Sequence, residues 1–533
     1  GTTTHGPCRR NERMNLFAFQ FTMPDVSLSL LMPELIVCTV AIVVMLVDAF
    51  AKPAQRWVTG GISLLGLLAA AISSAWLWVS WRGANEAFNG MIVLDELRLG
   101  FTFVFLIVSA LTILVSVVWA ENERLPAGEF HSLLMFATAG MMFMASAGDL
   151  VIVFLGLEIL SIATYVMCGF RRTDIRSNES SMKYFILGSF SSAFLLYGIA
   201  LVYGATSTVA GLPGTTNINE IARRLPEAQY PALLFAGAAM MLVGFGFKIA
   251  SAPFHVWTPD VYEGAPTPVT AFMAAGPKAA GFASFLRVFV FGFPFVVAAG
   301  SAGVAGQLHS AWLGTMVVLA IATMTVGNVV AIAQNNVKRM LAYSSIAHAG
   351  YALVGFIAAG AATDVEQRNA AITAVIFYLL TYAVMNLGAF AVVQIIGRAG
   401  DRRTEVEDYN GIGFQSPWLA FSLSLFLLSL LGMPLTAGFI GKVMVFRAAL
   451  DQGYYALVVI GVLNTAISAY YYLRLIIVMF FRERTTVWSP PRIPASVGVA
   501  LVITILGVLY LGLFPGRVIN ALQTKPVVSI TMR

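Results

Sequence analysis

Five ionisable residues lie where an apolar chain should hold none: Glu158 in LGLEILSIATY, Lys183 in SSMKYFILGSFSSA, Lys248 in GFGFKIASAPFH, Lys278 in AAGPKAAGFASFLR and Lys442 in GFIGKVMVF. Each stretch is apolar enough to enter a bilayer core, where a charged side chain costs at least about 2.5–3.5 kcal/mol on insertion scales. Such a residue calls for a reason. Glu158 and Lys442 have apolar neighbours on both sides, so neither reaches an interface by extending. For Lys183, near the start of its stretch and beside Glu179, the competing reading is an amine that snorkels to the headgroups. For Lys278 it is a helix end marked by Gly276 and Pro277, and for Lys248 a purely structural cap beside a helix break.

Lysines and a carboxylate in such a setting suit proton transfer. An amine withdrawn from water holds its proton less tightly, and a carboxylate brought near restores the charged form. Moving or hydrating one partner therefore loads or releases a proton. One pH unit of proton affinity is worth about 1.4 kcal/mol, whereas one charge carried against 100 mV costs about 2.3 kcal/mol. A change of about two pH units thus reaches the scale of a pump, and the interacting sites would titrate as a chain of groups.

Two segments interrupt their helices beside these lysines. The first runs Lys248-Ile-Ala-Ser-Ala-Pro253-Phe-His255-Val-Trp257-Thr-Pro259 and the second Gly432-Met-Pro434-Leu-Thr-Ala-Gly438-Phe-Ile-Gly441-Lys442. Proline removes a helical hydrogen bond, and the freed backbone must face protein or water rather than lipid. Paired breaks in two halves of a transporter point to an ion path between them. Among histidines, His255 follows the first break and His348 lies in AYSSIAHAGY beside Tyr343 and Ser344. These four are candidate proton relays, with hydrogen-bonded packing as the competing reading for each histidine. His5, His131 and His309 fall at the tail or at span ends and carry no such weight.

Other patterns carry little. GFGFKIA and AGLPG lack the strand-turn-helix setting of a nucleotide site. Met141, Met142, Met144, Met240 and Met241 read as packing rather than metal ligands, and Glu34, after Pro33, as interfacial. Cys8, Cys38 and Cys168 have no metal-ligand spacing, so neither a disulfide framework nor an iron-sulfur site is supported.

The elements that must position these groups are membrane helices. Of the 533 residues 59% are hydrophobic and 11% charged, against about 25% charged in a soluble domain. Apolar windows of bilayer length fall at 29–50, 57–81, 100–120, 131–147, 149–170, 182–205, 231–258, 265–293, 310–332, 340–360, 369–396, 417–449, 455–481 and 495–514. The expected fold is an all-α polytopic membrane protein with about 14 transmembrane helices, broken in helices 7 and 12 at Pro253, Pro259 and Pro434. The breaks, five helices apart, divide the chain into a tail at 1–28, helices 1–3 at 29–130, a first repeat of helices 4–8 at 131–293, a second of helices 9–13 at 310–481, and helix 14 with the C-terminal tail at 495–533. Met14 and Met23 are candidate starts, and residues 1–13 are set aside as candidate non-native sequence.

Arginine and lysine crowd the loops after odd-numbered spans, as at Arg171, Arg172, Arg176, Lys338, Arg339, Arg398, Arg402 and Arg403. Those loops are expected to face the cytoplasm and both termini the periplasm. The net charge of +6 is spread over short loops and forms no stripe for nucleic acid.

The segment FKIASAPFHVWTPDVYEGAPTPVTAFMAAGPKAAGFASFLR resembles the antiporter-like subunits of proton-pumping NADH:quinone oxidoreductase, respiratory complex I, and VYEG resembles its subunit N. DLVIVFLGLEILSIATYVM, MKYFILGSFSSAFLLYG, NVKRMLAYSSIAHAGY and LSLLGMPLTAGFIGKV are similar to the same family. The resemblance implies fourteen helices in two inverted five-helix repeats around a hydrophilic axis. It implies that Glu158 of helix five pairs with Lys248 of broken helix seven, with Lys183 on helix six, Lys278 in the middle of helix eight and Lys442 terminal on broken helix twelve. It also implies a subunit of a proton translocase in the bacterial cytoplasmic membrane, beside a subunit M-like neighbour and small membrane subunits. NADH, FMN, iron-sulfur clusters and quinone are expected on other subunits, with no cofactor or redox chemistry here. The competing classes are an Mrp-type cation/proton antiporter subunit, the equivalent subunit of a photosynthetic NDH-type complex, and a non-conducting scaffold.

Overall fold

Why the chain breaks into helices where it does follows from its caps and its small residues. The computed structural model describes residues 27–50, 57–81, 85–207, 213–225, 230–293, 304–484 and 492–523. Cys8, His5 and the candidate starts lie outside the described residues. The helices are α1 (Met32–Phe50), α2 (Trp57–Ser80), α3 (Glu96–Asn122), α4 (Ala127–Ser146), α5 (Leu150–Cys168) and α6 (Ile175–Thr206). Then come the short α7 (Ile218–Arg224), α8 (Pro231–Ile249), α9 (Thr258–Gly264), α10 (Thr267–Leu286), α11 (Val304–Ile332), α12 (Val337–Ala361) and α13 (Val365–Gly397). The remainder are α14 (Ile412–Gln415), α15 (Pro417–Leu431), α16 (Ala437–Asp451), α17 (Tyr455–Phe481), α18 (Ala495–Leu513) and α19 (Pro515–Gln523). A two-residue antiparallel hairpin pairs β1 (Glu86–Ala87) with β2 (Ile92–Val93) before α3.

Side-chain caps set several starts. Asp95 accepts from the Arg98 amide at 2.8 Å, and Asn336 from the Lys338 and Arg339 amides at 3.0 and 3.2 Å. Each satisfies amides that a helix leaves unpaired in its first turn. Because lipid gives no hydrophobic drive between helices, close backbone contact at small residues must supply packing. A Cβ added to Gly140 on α4 would lie 2.7 Å from the Leu160 backbone nitrogen on α5, so only hydrogen fits there.

Among the described residues, eleven helices are long and apolar enough to cross a membrane. The predicted fourth, eighth and twelfth spans correspond to α4, α10 and the α15–α16 pair, which fall outside that set. The physical reason is enclosure: every residue of α10 is buried, so alanine, glycine and threonine replace the leucines that lipid contact would require. In α12 and α13, 94% of the most apolar window is buried, against 39% and 33% in the first two spans. The core is therefore α10, α12 and α13, walled by helices that show apolar faces such as Leu65, Phe190, Leu463 and Val502 to the outside.

Both proline segments interrupt the backbone. α8 ends at Ile249 with Ala250 left-handed, and helix resumes at Thr258 with Pro259 in the first turn of α9. α15 ends at Leu431, where Gly432 turns the chain at φ +93°, a conformation glycine adopts without strain. Pro434 lies between this turn and α16.

Ion pairs lock the interior walls. Glu34, read from sequence as interfacial, is fully buried and binds Arg98 at 2.8 Å. Its partner stands 64 positions away, so no local pattern signals the pair. Arg287 pairs with Asp95. At the opposite end of α3, Arg171 bridges Glu123 at 2.5 Å and Asp401 at 2.9 Å, and Asp401 accepts also from Lys338 at 3.3 Å. The Thr267 amide donates to Asp401 at 3.1 Å and Lys338 donates to the Ala265 carbonyl at 2.6 Å. This cluster ties the loops after α5 and α13 to the first turns of α10 and α12.

Candidate functional site

Lys248 occupies the last turn of α8, buried, where the break exposes backbone polarity. Its Nζ donates to Ser161 Oγ on α5 at 2.8 Å and stands 5.8 Å from the centre of the Tyr184 ring on α6. Tyr184 stacks on Trp257 at 4.5 Å, and Trp257 meets Tyr262 edge-on at 6.0 Å. Glu158, one helical turn before Ser161, is half-buried, and its Oε1 is buried without a hydrogen-bond partner. Here the amine that the resemblance pairs with Glu158 is engaged by a neutral hydroxyl instead.

Lys183 takes a different setting. Its side chain is 42% exposed and bonds Glu179 at 2.7 Å and Asp260 of α9 at 2.8 Å. Asp260 also accepts from Arg339 of α12 at 2.7 Å, and Arg339 reaches Glu263 at 2.8 Å. The sequence marks Arg339 only as a loop cation and does not mark Asp260 or Glu263. The available signal was the i, i+3 spacing of two carboxylates on a short helix directly after a proline break.

Lys278 lies inside α10, with Pro277 within the helix rather than at its end. It is buried, donates to the carbonyl and hydroxyl of Ser345 on α12, and lies 5.6 Å from the centre of the Tyr382 ring on α13. Gly281, three residues on, brings α10 against α8: a Cβ there would lie 3.6 Å from Lys248 Cβ. The two lysines thus stand on helices in direct contact.

Beyond Ser345, His348 is buried one turn further along α12. Its Nδ1 is hydrogen-bonded to Tyr378 OH at 2.6 Å, and its Nε2 lies 3.4 Å from Tyr472 OH. Ser344 Oγ bonds the same Tyr472 hydroxyl. The His348 ring lies 5.6 Å from Tyr351, whose face lies 4.6 Å from Lys442 Nζ. Lys442, buried on α16, donates to the Leu431 carbonyl at 2.9 Å, an oxygen freed at the end of α15. Asn328 extends the array by donating to Tyr351 OH at 3.0 Å and accepting from Tyr471 OH at 2.9 Å.

The structure therefore buries Lys248, Lys278, His348, Ser344 and Lys442 on the contacting helices α8, α10, α12 and α16, in separate polar clusters, with Glu158 half-buried beside the first. Lys183 stands apart in a half-exposed ion network. His255 is half-buried in the break with Nδ1 unpartnered, and Tyr343 packs half-buried against the apolar interior. His131, discounted from sequence as a span end, is fully buried and bonded to Thr59 Oγ1 at 3.1 Å and Ser116 Oγ at 3.3 Å. α4 starts at Ala127, a turn earlier than expected, so this histidine lies inside the helix bundle. Among the described residues no three His, Cys, Asp or Glu side chains converge in a way that could hold a metal ion.

Amines, hydroxyls and an imidazole are groups that exchange protons, and known proteins carry the same architecture. Residues 147–468 match the family model described as NADH:quinone oxidoreductase/Mrp antiporter, TM. NADH-quinone oxidoreductase subunit N of Trichlorobacter lovleyi is 43% identical over 500 residues, covering 93% of this chain and 96% of that protein. A chain of respiratory complex I from Thermus thermophilus, solved with bound aureothin, superposes with a TM-score of 0.73 at 33% identity, covering 92% of this chain and 99% of that one. A chain of the Mrp complex from Dietzia shares the fold, with a TM-score of 0.77 at 21% identity over 94% of this chain and 97% of that one. By its motifs, its helical membrane fold and these identities over nearly its whole length, the chain belongs to the NADH-quinone oxidoreductase subunit N family of antiporter-like membrane subunits.

Proposed function

We propose that this chain, as a membrane-arm subunit of NADH:quinone oxidoreductase, translocates protons through Lys248, Lys278 and Lys442, with Glu158 and Lys183 on the input side and His348, Ser344, Tyr343 and His255 as relays. The observation that carries the reading is the buried contact sequence Lys278–Ser345, His348–Tyr378 and His348–Tyr351–Lys442, reached from Lys248 through the α8–α10 contact. A bilayer protein does not bury three lysines against neutral acceptors without function, because each costs free energy that packing alone does not return.

The two breaks support an inverted repeat of 131–293 on 310–481, with Lys248 and Lys442 near corresponding interruptions. Quinone reduction, and the flavin and cluster chemistry before it, belongs to other subunits, and the translocase role of this chain is exercised within the complex. The half-exposed Lys183–Asp260 network supports contact with a neighbouring antiporter-like subunit, since charges on an otherwise apolar wall call for cover from lipid. The meeting of Arg171, Lys338 and Asp401 at one end supports a single, cytoplasmic side for the loops after odd spans, with both termini periplasmic in a bacterial inner membrane.

The assignment is tested by purifying the membrane-extracted complex through a tag on this chain. Co-elution of NADH-oxidising activity that drives proton uptake into vesicles is expected. An Mrp-type particle without NADH oxidation, exchanging cations for protons, would contradict it.

A further inference from the structure

We infer that Ser161 is a positioning residue of the Lys248 site: its hydroxyl holds the ammonium one helical turn from Glu158, beside a cavity of the size of a single water molecule. The inference rests on the proton-translocation reading above and adds to it the residue that receives the lysine when its carboxylate does not.

Hydrogen-bond direction carries the first step. Ser161 donates its only proton to the Leu157 carbonyl at 2.6 Å, so its oxygen faces Lys248 as an acceptor. An ammonium leaving a carboxylate in a low-dielectric interior would otherwise lose its partner at large cost. Ser161, three residues from Glu158 on α5, lets the ion pair open while the cation stays bonded.

The second step is space. A cavity of about 10 Å³ adjoins Lys248, lined by Ser161, Tyr165 and Ser191 among others. A water needs about one probe sphere of room and two to four polar partners; this space is of that size, and Ser161, Tyr165, Ser191 and the amine are polar groups on its wall. Buried Oε1 of Glu158 lacks a partner in this arrangement, which suits a carboxyl that has parted from the lysine. The titratable groups facing Lys248 are Glu158 and Cys168 on α5 and Tyr184 on α6, with Tyr165 on α5 across the cavity. α10 presents Gly281.

The test is proton pumping and NADH oxidation by the intact complex in vesicles, across pH, for Ser161→Ala, Ser161→Thr, Ser161→Cys and Lys248→Ala. Ser161→Ala should lower pumping about tenfold, the effect of losing one hydrogen bond to a charged group. It should also move the alkaline limb of the pH profile to lower pH, while Ser161→Thr restores both to within about twofold. Ser161→Cys, a weak acceptor of similar size, should resemble alanine and is read in its place if alanine does not assemble. Normal rate and profile in both Ser161→Ala and Ser161→Cys, with Lys248→Ala inactive, would overturn the inference alone. Unchanged pumping in Lys248→Ala would overturn the translocation reading itself.

Discussion

Asp260 binds Lys183 at 2.8 Å across 77 positions of sequence, and the same carboxylate binds Arg339 at 2.7 Å. One acid thereby joins helix α6, the segment after the first break, and the start of α12. It directly links Lys183 to the second half of the chain.

The first prediction follows from that link. The side chains are 28–42% exposed, so each pair contributes at most about 1 kcal/mol to stability. Asp260→Asn should assemble at wild-type levels by native gel yet pump several-fold more slowly, with Glu179→Gln much milder. Equal effects of the two would show that Asp260 has no special place.

Lys278 gives a second prediction. Because every residue of α10 is buried, a longer or bulkier cation has no room, and overpacking costs about 1–3 kcal/mol. Lys278→Ala should cut pumping at least tenfold with the complex assembled, and Lys278→Arg should not rescue it. Rescue by arginine would mean that charge alone, not the Ser345 contact, is required.

A third concerns Asp401. Burial alone would raise its carboxyl, but the Lys338 and Arg171 cations, with hydrogen bonds from Arg171 and Thr267, hold it at about 2, below its ordinary 3.8. The folded value is depressed, so this group's stabilising contribution is complete above 3.8 and disappears as pH falls through about 2. Thermal unfolding of the detergent-extracted complex should show an acid-induced loss in that window, reduced in Asp401→Asn. At neutral pH that variant should be less stable by about 3–5 kcal/mol, because buried Lys338 loses its carboxylate partner while Arg171 retains Glu123. A stable variant with an unchanged acid limb would contradict the clamp.

A fourth concerns the α4–α5 contact. Gly140→Val would place a Cβ 2.7 Å from the Leu160 backbone, pushing away the helix that carries Glu158 and Ser161. The backbone cannot yield as a side chain can, so assembled complex should fall sharply on a native gel, whereas Gly61→Ala, with open space around it, should be neutral.

The burial of Lys248, Lys278 and Lys442 was legible because a cation in an apolar stretch has few ordinary explanations, whereas Lys183, in an equally apolar stretch, is 42% exposed; the breaks were legible because proline and glycine disrupt helices by known geometry. Ser161 was not legible: serines are common in membrane helices, and its importance comes from a lysine 87 positions away. Asp401 reads from sequence as one charge in a polar loop, RAGDRRTEVEDYN, yet it is buried beneath two cations. α4 and α10 were expected as spans but do not meet the length-and-apolarity measure, since helices enclosed by other helices need not be apolar. His131, at an expected span end, is buried because α4 begins a turn earlier, at Ala127, and packs the ring against Thr59 of α2 and Ser116 of α3. In each case the missing information was long-range packing, which local pattern does not encode.

The account stands on buried lysines that carry protons, and Lys248→Ala probes it most directly. Proton uptake into reconstituted vesicles should be measured together with the NADH oxidation rate of the same preparation. Both should fall together at least tenfold, as expected when a group with no substitute is removed from a coupled path. Undiminished proton uptake at an undiminished oxidation rate would contradict the account.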